Sequence, residues 1–334
     1  MDHGVTRRAF LAGSAAAGAG VLLGRRLLGD EPKVAPAPRA QIAITFDLEM
    51  AHNFPKWEDM HWDYEKGNLN DDAKRYAVEA ARRVKAKGGV IHFFLVGQAM
   101  EQENVDWLKE IAQAGHPIGN HTYDHVFVKA GKPEDVQFRF RRAPWLIDGK
   151  DPQEVVRENI RMTNAALKTR IGVDARGFRT PGGFVNGLDD APGVQKMLLD
   201  LGFTWVSSRY PVGENPEPDK APTPEFYDAI LKVQEKAQPY RYPSGLIEIP
   251  MSPVSDIGGY RGGKWKLEWF LESTRRGVAW AIEHGAVFDF LAHPSVTGVK
   301  DPEFKTVDLI CDLVAKAGDK AEIVDLDTIA KRVA

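Results

Sequence analysis

Four short segments of this chain carry side chains that could do chemistry together. The first is Thr45-Phe46-Asp47-Leu48-Glu49. Side chains two apart on a strand share a face, so Asp47 and Glu49 can converge on one pocket. Two carboxylates closing an apolar strand are costly to bury unless a cation or partner compensates them; otherwise the strand has ended and both are solvated. The second segment is Gly115-His116-Pro117-Ile118-Gly119-Asn120-His121-Thr122-Tyr123-Asp124-His125. Its His121 and His125 are spaced i, i+4, which stacks two imidazoles on one side if the segment is a helical turn. Zinc in a catalytic site commonly takes two His and a carboxylate. Thr122 stands where the protease helix H-E-x-x-H has its Glu, so that chemistry is excluded. A lone H-x-x-x-H says little, and gains meaning only beside Asp47 and Glu49.

The third segment, Phe178-Arg179-Thr180-Pro181-Gly182-Gly183, puts a cation at a strand end before a turn with approachable backbone N–H groups. An arginine there can hold a carboxylate in one rotamer and keep it ionised, or simply be an exposed turn residue. The fourth, Phe288-Asp289-Phe290-Leu291-Ala292-His293-Pro294, is an apolar strand ending in His293, a position that suits a general acid.

Positioning these groups requires strands whose ends meet. Short apolar runs are expected as strands at 42–46, 90–96, 117–119, 177–179, 204–207, 246–250, 286–292 and 322–325. Between them, helices are expected at 71–87, 105–114, 152–169, 194–201, 266–284 and 302–317. Such alternation argues for βα units, a largely parallel sheet and a closed or nearly closed barrel. Two stretches break the rhythm and read as loop insertions over one face. One is the polar, basic and aromatic 126–150, and the other is 209–244, which holds seven of the 21 prolines.

The composition excludes other classes. With 44 Lys+Arg against 47 Asp+Glu the net charge is −3, and no basic run points to nucleic acid. One cysteine, Cys311, rules out an internal disulfide and any cysteine-rich metal knuckle, so metal chemistry must use His and carboxylates. Residues 1–37 read as a separate label: paired Arg7 and Arg8, then a mild Ala/Gly-rich apolar run too short for the roughly 20 residues of a membrane span. This is the pattern of a twin-arginine export signal, ending at the Ala35-Pro36-Ala37 site or at Ala40. The expected domains are therefore the signal at 1–37 and one barrel at 38–334. The expected partners are the twin-arginine export machinery and a substrate in the periplasm or outside the cell, with no stable membrane span.

In this order the four segments resemble the NodB-homology polysaccharide deacetylases, carbohydrate esterase family 4, and His92-Phe93-Phe94-Leu95-Val96-Gly97 is similar to the family's second strand. The resemblance implies an α/β fold, a distorted (β/α) barrel, and removal of acetyl groups from a carbohydrate or peptidoglycan-like substrate with a divalent metal such as zinc. Carried onto this chain, it makes Asp47 the catalytic base, Arg179 the residue that orients the base, and His293 the general acid. His121 and His125 become metal ligands. Most members have two adjacent aspartates, whereas here Leu48 intervenes, so Glu49 is assigned as the third ligand of an acid-x-acid variant. Trp205-Val206-Ser207-Ser208 looks more like the allantoinase-like and peptidoglycan branch. Two other classes use the same barrel: a metal-dependent hydrolase of a small non-sugar amide, and a non-catalytic glycan-binding relative. Asp256 and Asp289 are the candidate partners of His293. Trp57, Trp62, Trp145, Trp265 and Trp269 are candidates for a sugar cleft, a minority of them in the site. His52, His61, His92 and His116 are read as structural or incidental, and Cys311 as an inert core residue.

Overall fold

Ala40–Leu48 is buried along its length apart from Gln41, the signature of a strand covered on both faces. This is β1 in a computed structural model that describes residues 38–51, 62–211, 213 and 216–334. The expected export signal, His52, Trp57, His61 and the side chain of Trp62 lie outside the described residues. The later strands are β2 (Ile91–Leu95), β3 (Ile118–Asn120), β4 (Phe178–Phe184), β5 (Trp205–Arg209), β6 (Tyr240–Arg241), β7 (Ile247–Glu248), β8 (Val287–Ala292) and β9 (Ala321–Ile323). The helices are α1 (Trp62–Glu65), α2 (Asp71–Ala86), α3 (Asp106–Gln113), α4 (Arg139–Arg142), α5 (Pro152–Ile171), α6 (Pro192–Asp200), α7 (Pro224–Gln234), α8 (Leu267–His284), α9 (Pro294–Lys300), α10 (Lys305–Ala317) and α11 (Leu326–Lys331).

The sheet runs β6-β7-β5-β4-β3-β2-β1-β8, with β9 beside the start of β1. Every pairing is parallel except β6 with β7. The sheet curls without closing into a continuous ladder. Its two sides meet where Ser252 N donates to Asp289 O at 3.0 Å, just after β7 and within β8. The barrel expected from the sequence is thus a half-barrel with a seam. Besides its backbone pairing, β7 is held by the buried side chain of its own Glu248, which accepts from Ser208 N and Arg209 N, each at 2.7 Å, and from Tyr242 Oη at 2.7 Å.

The alternation of β1 decides which side chains reach the interior. Ile42, Ile44, Phe46 and Leu48 pack into a core shared with α2, α8 and α10. Ala43 faces the other way and packs with Phe94, Trp205, Ile247 and Val287, with α11 contributing Leu326 and Ile329. Asp47 shares Ala43's parity and so points inward. Helix starts follow local chemistry: Asn70 caps α2 by accepting from Ala73 N, and Asp151 caps α5 ahead of Pro152. None of the described helices is long and apolar enough to cross a membrane.

The 209–244 stretch is not the bare loop expected from its prolines, because α7 and β6 form within it. Thr223 caps α7 and Pro224 takes its first position, so a helix-compatible proline served as a start signal.

Gly177, just before β4, sits at φ +74°, and an added Cβ would lie 1.8 Å from Trp205 Cζ2. A left-handed residue and a ring in contact cannot both accommodate a methyl group. Gly177→Ala is expected to cost about 2–5 kcal/mol, the sum of backbone strain and overpacking, read as a lower urea midpoint at unchanged slope.

Candidate active site

The C-terminal ends of β1, β3 and β8 and the start of β4 bring the candidate residues together. Asp47 closes β1, and Glu49 follows it. His121 follows β3, Arg179 lies in β4, and His293 follows β8. All six, with His125, are buried. Strand ends are where parallel folds place their ligand sites, since the loops there are free to vary.

His121 and His125 do not lie on a helical turn. Thr122 and His125 both have positive φ, 58° and 56°, in a loop. Hydrogen bonds hold that loop: Thr122 N donates to Asn120 Oδ1 at 2.8 Å, Val126 N to Thr122 Oγ1 at 3.0 Å, and Gly97 N to Thr122 O at 2.9 Å. The rings still converge, because Glu49 Oε1 lies 3.0 Å from Nε2 of each histidine. His121 Nδ1 lies 2.9 Å from the Arg179 carbonyl, an acceptor that keeps the proton on Nδ1 and leaves Nε2 with its lone pair. Three donor atoms of hard and borderline character therefore meet at one point, a set that fits a divalent ion such as zinc.

Around Asp47 the structure builds a buried network. Arg179 NH1 lies 3.1 Å from Asp47 Oδ1 and 2.8 Å from Thr45 Oγ1, while NH2 lies 2.6 Å from Asp289 Oδ2. Ser207 Oγ accepts from the same guanidinium, which stacks 4.4 Å from the Phe94 ring. Asp289 is thus the partner of Arg179, and Asp256 is the partner of His293. Asp256 Oδ1 lies 2.9 Å from His293 Nδ1, and Oδ2 accepts from His293 N at 2.6 Å. The Nε2 edge of His293 faces the site, 3.4 Å from Glu49 and 4.0 Å from Asp47.

Charge at the site follows from this packing. Burial alone would push the His293 imidazole down, but the carboxylates of Asp256 and Glu49 outweigh it and raise it to about 10. Burial likewise opposes ionisation of Glu49, yet Lys66, His125 and His293 hold its carboxyl well below the usual range. Burial, aided by the Lys66 charge, lowers His125 to about 4, so it is neutral and able to ligate near pH 7.

The sequence did not flag Lys66. Its ammonium donates to Glu49 Oε2 and lies 3.2 Å from His125 Nε2, with 5% of the side chain exposed. No motif marks it, since a single lysine in a polar stretch reads as solvated.

The site opens into a pocket of about 500 Å³. Asp47, Glu49, His125 and His293 sit in it, walled by Phe127, Phe138, Phe184, Tyr210, Met251 and Leu291. The 126–150 insertion thus supplies Phe127 and Phe138, whereas 209–244 supplies Tyr210. The candidate tryptophans whose side chains are described lie elsewhere: Trp265 is in the core, Trp269 packs against it, and Trp145 is 71% exposed. His92 and His116 are buried, bonded to backbone at Arg176 O and Ile91 N, and lowered by burial to about 4. Cys311 is a buried thiol raised by burial to about 11.

Residues 35–196 match the polysaccharide deacetylase family model. The polysaccharide deacetylase match covers Asp47, Glu49, His121, His125 and Arg179, and ends in α6 before Asp256 and His293. Among solved structures, a Mycobacterium smegmatis protein assigned as a polysaccharide deacetylase superposes with a TM-score of 0.57 at 18% identity, over 90% of this chain and 92% of that one. A Pseudomonas aeruginosa PAO1 protein assigned likewise gives 0.56 at 13%, over 87% and 89%. The Puue allantoinase gives 0.56 at 15%, over 93% and 97%. These likenesses show the fold, the NodB-type barrel of the polysaccharide deacetylases. The comparison with curated proteins returned no match.

Proposed function

We propose that this protein is an exported, metal-dependent deacetylase that hydrolyses the N-acetyl amide of a carbohydrate or cell-wall substrate. The observation that carries the reading is the meeting of Glu49 Oε1 with both histidine Nε2 atoms, with Asp47 and His293 at the same pocket floor. The family match over residues 35–196 supports the substrate class, and the paired Arg7 and Arg8 support export.

Glu49, His121 and His125 would hold the ion, which supplies Lewis acidity toward the acyl carbonyl and acidifies water. The protein residues do the proton work. Asp47, aimed by Arg179, takes a proton as water attacks the acyl carbon. His293, held at Nδ1 by Asp256, gives its proton to the departing amine nitrogen as the C–N bond breaks. Acetate and a free amine result. Gly182 and Gly183 line the same pocket, and their backbone N–H groups would receive the developing negative charge.

A second reading rests on pocket size. A volume of about 500 Å³ suits a compact ligand, so a small non-sugar amide is the alternative substrate on the same residues.

The test is elemental analysis of the purified mature protein beside Glu49→Ala, His121→Ala and His125→Ala. The expected result is about one divalent ion per chain, lost in all three variants, with acetate released from acetylated glycans by the parent only. A parent that folds and stays metal-free after reconstitution would overturn the reading in favour of a binding role.

A further inference from the structure

Lys66 is buried at the one place where this reading puts a metal ion. Gly67 N donates to Glu49 O at 2.6 Å, which ties the Lys66-Gly67 backbone to the end of β1. Gly67 itself has φ +84°, and a Cβ there would lie 2.6 Å from Gln98 Cβ, so the turn after Lys66 requires glycine. From this anchor the ammonium reaches Glu49 Oε2 and His125 Nε2, with the Phe138 ring 5.7 Å away. A Lys nitrogen only donates. Its contact with His125 therefore uses the Nε2 lone pair, whereas its contact with Glu49 is to Oε2 and leaves Oε1 facing the two histidines. A divalent ion where Glu49 Oε1 and the two imidazoles meet would need that same Nε2 lone pair at about 2.0–2.1 Å.

We propose that Lys66 is a built-in counter-cation that occupies the acidic side of the metal site when metal is absent and must be displaced for a divalent ion to bind. This inference rests on the metal-dependent reading above. The ammonium and the ion cannot both use the His125 Nε2 lone pair, and as two cations on one carboxylate they would repel at a few ångströms in a buried setting. The chain gains a site that stays assembled without metal, since Glu49 keeps a positive partner. The consequence is a weaker and more exchangeable ion than three such ligands would otherwise hold. Lys66 is then a positioning residue that sets metal affinity.

The experiment is a competitive zinc titration against a chromophoric chelator, on the metal-stripped mature protein and its Lys66→Met and Lys66→Gln variants. Both variants remove the charge, and glutamine keeps a donor to Glu49 should methionine fold poorly. The expected result is zinc binding at least about tenfold tighter in the variants. The zinc-induced rise in Tm should also be larger in the variants than in the parent, because tighter binding adds more stability at fixed zinc. Equal or weaker zinc affinity in the variants, with the parent binding normally, would overturn the role of Lys66 alone. No zinc binding by parent or variants would overturn the metal reading and this inference with it.

Discussion

Asp47→Asn is expected to lower kcat by about 10²–10⁴-fold while leaving metal content and Tm close to the parent's. The amide has the shape of the carboxylate, and its oxygen can still accept from Arg179 NH1, which lies 3.1 Å from Oδ1 in the parent. What it lacks is the capacity to take a proton from water. Two carboxylates stand at this strand end, and both could in principle touch an ion: Asp47, Glu49 and His293 form a second convergent group beside Glu49, His121 and His125. The geometry separates them. Glu49 Oε1 is 3.0 Å from each histidine Nε2, whereas Asp47 Oδ2 is 3.8 Å from His121 and is engaged through Oδ1 by Arg179. Elemental analysis and steady-state kinetics on one preparation decide the matter. A variant that loses its metal makes Asp47 a ligand, and one that keeps full rate ends its assignment as base.

Much of this arrangement was legible because period-two alternation in a buried strand is a strong constraint. Asp47 could only face where Ala43 faces, and Glu49 continues that parity past the strand end. His293, just past β8, was found for a similar reason, as an apolar run stops where a polar side chain begins, and His121 was found by its spacing to His125. The loop geometry of His121 and His125 was not legible. It depends on positive φ at Thr122 and His125, and non-glycine residues give no local sign of that conformation. Asp256 was one of two candidates for His293, and the choice lay in the fold. Asp289 on β8 faces the barrel interior and meets Arg179, while Asp256 caps a π-helical turn at Ile257–Gly262 and reaches both the backbone and ring of His293. Trp145, Trp265 and Trp269 do not line the pocket, while Trp57 and the side chain of Trp62 lie outside the described residues. Phe127, Phe138 and Phe184 wall the pocket because they lie beside the site in the fold, which composition cannot rank.

Arg179→Met should be the most destabilising single change in the site, about 3–5 kcal/mol at pH 8, and its cost should shrink toward pH 5. Methionine fills similar space, so loss of packing is the smaller part. The larger part is electrostatic: Arg179 has no exposure, and removing it leaves Asp47 and Asp289 buried without their cation. Burial already raises Asp289 to about 6, with Arg179 and the Thr45 hydroxyl pulling it back. Without the guanidinium the folded-state value climbs further, while the unfolded chain keeps the ordinary value of about 3.9. The folded variant then binds a proton that the unfolded chain does not, so its stability falls as pH rises through the folded-state value. The favourable contribution is fully present only below about pH 4. Urea unfolding of parent and variant at pH 5 and pH 8 measures both terms. Adding Asp289→Asn to Arg179→Met should restore part of the loss at pH 8 and flatten the pH slope, since a neutral amide mimics the protonated acid. A deficit equal at the two pH values would mean that packing, and not the charge on Asp289, is what Arg179 supplies to the fold.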